Sequence, residues 1–96
     1  MKYFVYVIRS DVDGRLYKGL SKDVNQRLVW HNQGKTRSTK GYRPWKLIYT
    51  EELLSLEEAR EREKYFKSGQ GREELKILIR LRSSAEYLPA GRQGAL

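Results

Sequence analysis

The sequence contains no cysteine, which excludes disulfides, thiolate nucleophiles and cysteine-ligated zinc. That absence accords with a reducing cytoplasm, the expected location. A single histidine leaves no basis for a multi-histidine metal cluster. Long hydrophobic runs are missing as well. "YFVYVI" near the N-terminus is far too short to cross a bilayer and no small-residue cleavage site follows it, so a soluble, unexported protein is expected. Acid is scarce relative to base: twelve Asp and Glu against twenty Lys and Arg leave a net charge of +8. So strong an excess in a small chain points to a polyanionic partner, with nucleic acid ahead of other anionic surfaces. With 96 residues the chain makes one domain. A chain of this size buries only about 60–65% of its unfolded surface, which leaves room for one small site.

What is present reads as a compact alternation of strands and helices. Tyr3 to Ile8 is apolar at both alternating sets and rich in β-branched and aromatic residues, as expected of a central strand covered on both faces. Asp13-Gly14 is a hairpin signal, with Leu16 to Leu20 as the antiparallel partner. Ser21 and Asp23 can cap a helix to about Asn32 that Gly34 closes. Residues 34–46, "GKTRSTKGYRPWK", hold two glycines, a proline and no acid, and read as a loop before a third strand in "WKLIYT". Ser55 and Glu58 form a capping box for a helix to about Ser68. After the turn signal "GQG", a last helix is predicted from about Arg72 to Leu81. The order ββαβαα predicts an α+β domain over residues 1–82, a small three-stranded antiparallel sheet flanked by helices. Residues 83–96 lose periodicity and are expected to be a disordered tail.

Candidate functional residues are polar side chains that the helical period turns inward. Arg27 and His31 share the i, i+3, i+4, i+7 face of Val24 and Leu28. In the second helix Glu63 falls within the inward stripe of Leu56, Ala59 and Phe66, whereas Glu57, Glu58, Glu61 and Arg62 read as a solvated face. An unpaired buried carboxylate costs several kcal/mol, so Glu63 must pair with Arg27, bind a cation or line a wet cleft. Tyr6 and Tyr17, on adjacent hairpin strands, can present hydroxyls to the same place or simply pack. The acid-free segment carries Lys35, Arg37, Lys40, Arg43 and Lys46 among hydroxyl residues, with Tyr42 and Trp45 as stacking surfaces, the composition of a phosphate track.

Over about residues 2–80 the sequence resembles the GIY-YIG endonuclease superfamily, in particular its short stand-alone bacterial branch. Phe4-Val5-Tyr6 and Tyr17-Lys18-Gly19 match the two name-giving triplets. "RLVWHNQGKTRSTKGYRPWKLIY" is similar to the branch's helix and loop, with Arg27 and His31 on the family's Arg and His positions. "EEAREREKYFKSGQGREEL" looks like its acidic helix, with Glu63 on the metal-binding carboxylate position and Lys67 one turn later. Phe4 stands where a glycine is usual, and Lys18 where an aliphatic residue is usual. Strand alternation predicts that Lys18 points away from the Tyr17 side.

The resemblance implies hydrolysis of DNA phosphodiester bonds with one divalent metal, Mg2+ with Mn2+ able to substitute, held by Glu63. It implies that Tyr6 and Tyr17 position and deprotonate the attacking water; Tyr6 as base with Tyr17 as its hydrogen-bond partner is the preferred arrangement, and the sequence does not separate the two. A phenol titrates near pH ~10, so such a base calls for a cation such as Arg27 or the metal to lower that value. Arg27 is expected to neutralise charge building on the phosphate, His31 to orient a tyrosine or contact phosphate, and Lys67 to join the basic loop in binding nucleic acid. DNA is the expected partner, with branched or damaged forms in repair or recombination. RNA stays open, a protein partner could supply specificity, and no membrane partner is expected. The alternative is a nucleic-acid binding module that keeps the fold without turnover.

Overall fold

The computed structural model describes residues 2–87, with side chains described through residue 82. The chain runs β1 (Tyr3–Ser10), β2 (Leu16–Ser21), α1 (Val24–Asn32), α2 (Arg37–Lys40), β3 (Trp45–Leu53), α3 (Leu56–Phe66) and α4 (Gly69–Tyr87). The strands form one antiparallel sheet in the order β2-β1-β3, so β1 is central as its two-sided apolar pattern predicts. The β1–β2 hairpin turns where Gly14 adopts φ +78°, a conformation that costs a residue without Cβ little. Asp13 Oδ1 holds the exit by accepting from Arg15 N at 3.1 Å.

Alternation along β1 divides the core between the two faces of the sheet. Val5 and Val7 pack with Tyr49, Ala59, Phe66 and Leu75 beneath α3 and α4. Tyr6 and Ile8 pack with Trp45 on the opposite face, where Val24 and Leu28 of α1 cover them. A register shift opposite Val7 and Ile8, where Tyr49 pairs with Val7 but Leu47 with Ile8, turns Trp45 to the face opposite Tyr49. Without it, two residues four apart on a strand would share a side. Lys18 pairs with Val7 and therefore faces away from Tyr6, as the alternation predicts.

α1 matches its expected span: Asp23 Oδ1 caps Gln26 N at 3.0 Å, Ser21 belongs to β2, and Gly34 leaves the helix at φ +79°. Four expectations need correction. The segment 34–46 is not loop throughout, because α2 makes one helical turn in it. That turn rests on tertiary hydrogen bonds rather than apolar periodicity: Trp45 Nε1 donates to Thr39 O at 2.9 Å and the buried Thr39 hydroxyl donates to Thr36 O at 3.3 Å. "GQG" is the first turn of α4, not a turn between helices. A Cβ at Gly71 would stand 1.8 Å from Tyr65 O, so the missing side chain lets α4 start against the end of α3. α4 also continues through Ser83 to Tyr87, five residues into the segment expected to be a disordered tail; residues 88–96 lie outside the described residues.

Arg62 is the fourth correction. Its half-buried guanidinium pairs with Glu51 of β3 and, at 2.9 Å, with Glu74 of α4, and lies 4.4 Å from the Phe66 ring centroid. Tyr49 donates to Glu51 and Tyr65 to Glu74, each at 2.8 Å, which completes a clamp joining three elements. Arg62→Ala strands two carboxylates and is expected to destabilise the domain by about 1–3 kcal/mol, read as a lowered denaturant midpoint. Lysine should recover only part of the loss, since it lacks the planar fork.

Candidate active site

The site is built on the Tyr6 face of the sheet. Tyr6 pairs across the hairpin with Gly19, and its ring lies over that glycine: an added Cβ would come within 2.4 Å of the phenol oxygen. The hydroxyl lies 2.9 Å from His31 Nε2, and His31 Nδ1 lies 2.8 Å from Thr39 Oγ1. Direction follows from the far end. Thr39 spends its proton on Thr36 O, so it accepts from Nδ1–H, which leaves Nε2 to accept from the Tyr6 hydroxyl. The chain Tyr6 to His31 to Thr39 is buried, with His31 at 0% exposure.

Tyr17 packs edge-on against the imidazole, ring centroids 4.9 Å apart, and touches Trp45 at 6.5 Å, so it wedges His31 in place. Its ring centroid is 6.4 Å from that of Tyr6. The partner of the Tyr6 hydroxyl is therefore His31 rather than the expected Tyr17.

The electrostatics bind the remaining residues to this point. Burial first, then the neighbouring Tyr17, pushes Tyr6 up to about 12; Arg27, through its charge and a hydrogen bond, pulls it down, and the Glu63 carboxylate adds to the rise. Arg27 is thus near enough to act but does not win against desolvation, which corrects the expectation of a lowered phenol. His31 is depressed below its usual value by burial and then by the Arg27 charge, so it is neutral at pH 7. His31 bonds the Tyr6 hydroxyl and Tyr17 packs against His31, while Arg27 and Glu63 act on that phenol through their charges.

Glu63, on α3, is half-buried with Lys67 at 3.4 Å as its ion-pair partner; among the described residues no ion pair joins it to Arg27. No group of three His, Asp or Glu able to cage a metal occurs among the described residues.

The basic segment divides. Lys35, Arg37 and Lys40 are exposed beside the site on α2 and its approach. Arg43 donates from Nε to Lys40 O at 2.8 Å and serves the loop's own geometry. Lys46 pairs with Asp11 at 3.7 Å, and its register partner Arg9 shares the Val7 side of β1, so it turns away from Tyr6. The two expected stacking surfaces are not available: Trp45 is 3% exposed and the Tyr42 ring lies under the Arg15 guanidinium at 3.5 Å. Trp30 is the exposed aromatic instead, at 39%, with Arg27 at 5.6 Å and Lys35 at 6.0 Å from its ring. Sequence reasoning missed it because it sits off the inward face of α1. It also missed Thr39, whose role depends on a turn with no periodic signal, and Gly19 as a steric requirement.

The hairpin that carries Tyr6 and Tyr17, the helix that carries Arg27 and His31 and the helix that carries Glu63 fall within one family match. The model of the GIY-YIG catalytic domain matches residues 2–76. The chain belongs to the GIY-YIG family. It is 41% identical over 78 residues to a UPF0213 protein of Staphylococcus epidermidis, covering 80% of this chain and 94% of that one. A UPF0213 protein of Staphylococcus aureus is 38% identical over 77 residues, covering 79% and 93%. The solution NMR structure of a UPF0213 protein from Bacillus halodurans aligns with a TM-score of 0.51 at 34% identity, covering 81% of this chain and 85% of that one. The α+β sheet-and-helix arrangement is therefore a GIY-YIG fold, and nuclease chemistry is the activity class that the domain implies. Among the described residues no helix is long and apolar enough to cross a membrane.

Proposed function

We propose that this GIY-YIG protein is a metal-dependent endonuclease that hydrolyses DNA phosphodiester bonds. The observation that carries the reading is the buried hydrogen-bond chain from Tyr6 through His31 to Thr39, with Tyr17 packed edge-on against His31 and the charges of Arg27 and Glu63 acting on the Tyr6 phenol. Packing alone needs no such chain, and a binding surface needs no buried proton acceptor.

With its own proton committed to His31 Nε2, the Tyr6 oxygen keeps lone pairs for a proton from the attacking water. As water yields its proton to Tyr6, the Tyr6 proton passes to the neutral imidazole, and the phenol is never released as a free phenolate. A phenolate held near 12 would be only roughly one part in 10⁵ at pH 7, so the relay supplies a base that ionisation does not. Arg27, adjacent to the same oxygen, can place its donor fork on the phosphate and offset the growing charge. Tyr17 keeps the imidazole oriented.

A single half-buried carboxylate suits a hydrated Mg2+ or Mn2+, which takes one or two protein oxygens and completes its shell with water and phosphate. Glu63 would hold it, and the ion when bound would polarise the phosphate and stabilise the leaving oxygen. Glu63 must then release Lys67, which becomes free to meet phosphate alongside Lys35, Arg37 and Lys40. The described residues include no separate sequence-reading unit, so DNA shape, or a protein partner, would set the choice of substrate. Branched or damaged DNA in repair or recombination fits that reading.

The test is incubation of supercoiled plasmid, flapped and branched duplexes and matched RNA with the parent and Glu63→Ala in Mg2+ or Mn2+. The parent should cut DNA and Glu63→Ala should be slower by about 100-fold, equivalent to about 2.7 kcal/mol of transition-state stabilisation. DNA left intact by the parent, with equal salt-sensitive binding by both proteins, would instead establish a non-catalytic binding module.

A further inference from the structure

A cluster of like charges lies on the other side of β2, away from Tyr6. Lys18 projects there, half-buried in a groove of about 480 Å³ whose walls include Leu16, Arg72, Leu75 and Lys76. Burial, then the charges of Arg72 and Lys67, depress Lys18, so these cations repel one another in the free protein. Among the described residues neither Lys18 nor Arg72 has a carboxylate partner, Lys67 leans on Glu63 at 3.4 Å, and the rim carboxylate of Glu73 is engaged by Lys76 at 3.1 Å. An aliphatic side chain would suit the walls of Leu16 and Leu75 without that repulsion. Burying a lysine beside two other cations is favourable only when an anion joins them.

Position identifies the anion. Lys67 follows Glu63 by one turn of α3, about 6 Å of helix, so a strand crossing Glu63 reaches Lys67 next and then the groove holding Lys18 and Arg72. We propose that Lys18, Lys67 and Arg72 form a second phosphate-binding site that grips the DNA backbone beyond the scissile bond. This rests on the nuclease reading of the Tyr6 face. The site makes the protein hold a longer length of duplex than the catalytic residues alone would touch.

The experiment is fluorescence anisotropy with a labelled duplex in EDTA, which stops cleavage, across a salt series. Lys18→Ile and Arg72→Gln should each weaken binding several-fold and reduce the magnitude of the log–log salt slope by about 0.9, the value for one lost phosphate contact. Lys18→Ile should also raise the melting temperature, because it removes the repulsion; loss of affinity with gain of stability is not what a purely structural lysine would give. Arg72 is exposed, so its variant reports on the site even if Lys18→Ile folds poorly. A Lys35→Gln, Arg37→Gln double variant reports on the Tyr6 side of the molecule. If that double variant weakens while Lys18→Ile and Arg72→Gln keep the parent affinity and slope, the second site is refuted and the nuclease reading stands. If the parent binds no duplex, both are refuted.

Discussion

Replacing Tyr6 with phenylalanine is expected to lower the single-turnover rate of DNA cleavage by about 10³- to 10⁴-fold, the upper part of the range for a lost acid–base group. The ring remains and still fills the space over Gly19, so the sheet keeps its packing. His31 Nε2 loses its buried partner, however, and the fold should weaken by about 1–3 kcal/mol, a small effect beside the catalytic one. DNA binding in EDTA should be unchanged. The pH profile separates the relay from a free phenolate. If Tyr6 worked by ionising, the rate would climb tenfold per pH unit toward about 12. Through the relay, His31 must only be neutral, so the rate should plateau around neutrality and fall on the acid side, below the ordinary histidine value, because burial and Arg27 depress His31. Stability should move the same way. A histidine held neutral in the fold and free to protonate in the unfolded chain loses its contribution as the pH drops through its unfolded and then its folded pKa. A log-linear rise in rate across neutral pH would overturn the relay.

The sequence made much of this scaffold legible because its signals are local. The two-sided apolar run of β1, the Asp13-Gly14 turn, the Asp23 and Ser55 caps and the Gly34 exit are each decided within a few residues of chain, and each stands where the pattern puts it. That His31 turns toward the Tyr6 side of the sheet was readable because period and register carry a side chain's direction. What stayed hidden depends on partners distant in the chain. α2 exists through Trp45 and His31 bonding to Thr39; α4 begins early because Gly71 fits against Tyr65 O; Arg62 is drawn inward by Glu51 and Glu74. The same limit explains the Tyr6 partner. Adjacent strands suggested Tyr17, but the hydroxyl reaches over Gly19 to a histidine 25 residues away.

That reach sets the second large effect, the loss expected from Gly19→Ala. In the hairpin register Gly19 stands opposite Tyr6, and its Cβ position lies 2.4 Å from both Cζ and the hydroxyl of Tyr6, with Cε1 at 2.7 Å. Real Cβ atoms do not approach so near, so a single methyl must move either the ring or the strand. The ring has nowhere to go, being 1% exposed and packed with Ile8 and Trp45. Overpacking of this kind typically costs about 1–3 kcal/mol, and any shift of the hydroxyl breaks its bond to His31. Cleavage should therefore fall at least as far as in Tyr6→Phe, and the melting temperature further. Combining Gly19→Ala with Tyr6→Leu, which shortens the clashing side chain, should recover stability but no activity, whereas Tyr6→Phe should recover neither, since its ring still meets the new methyl. Equal activity of Gly19→Ala and the parent would mean that the hydroxyl works from a different position, and the relay through His31 would fall with it.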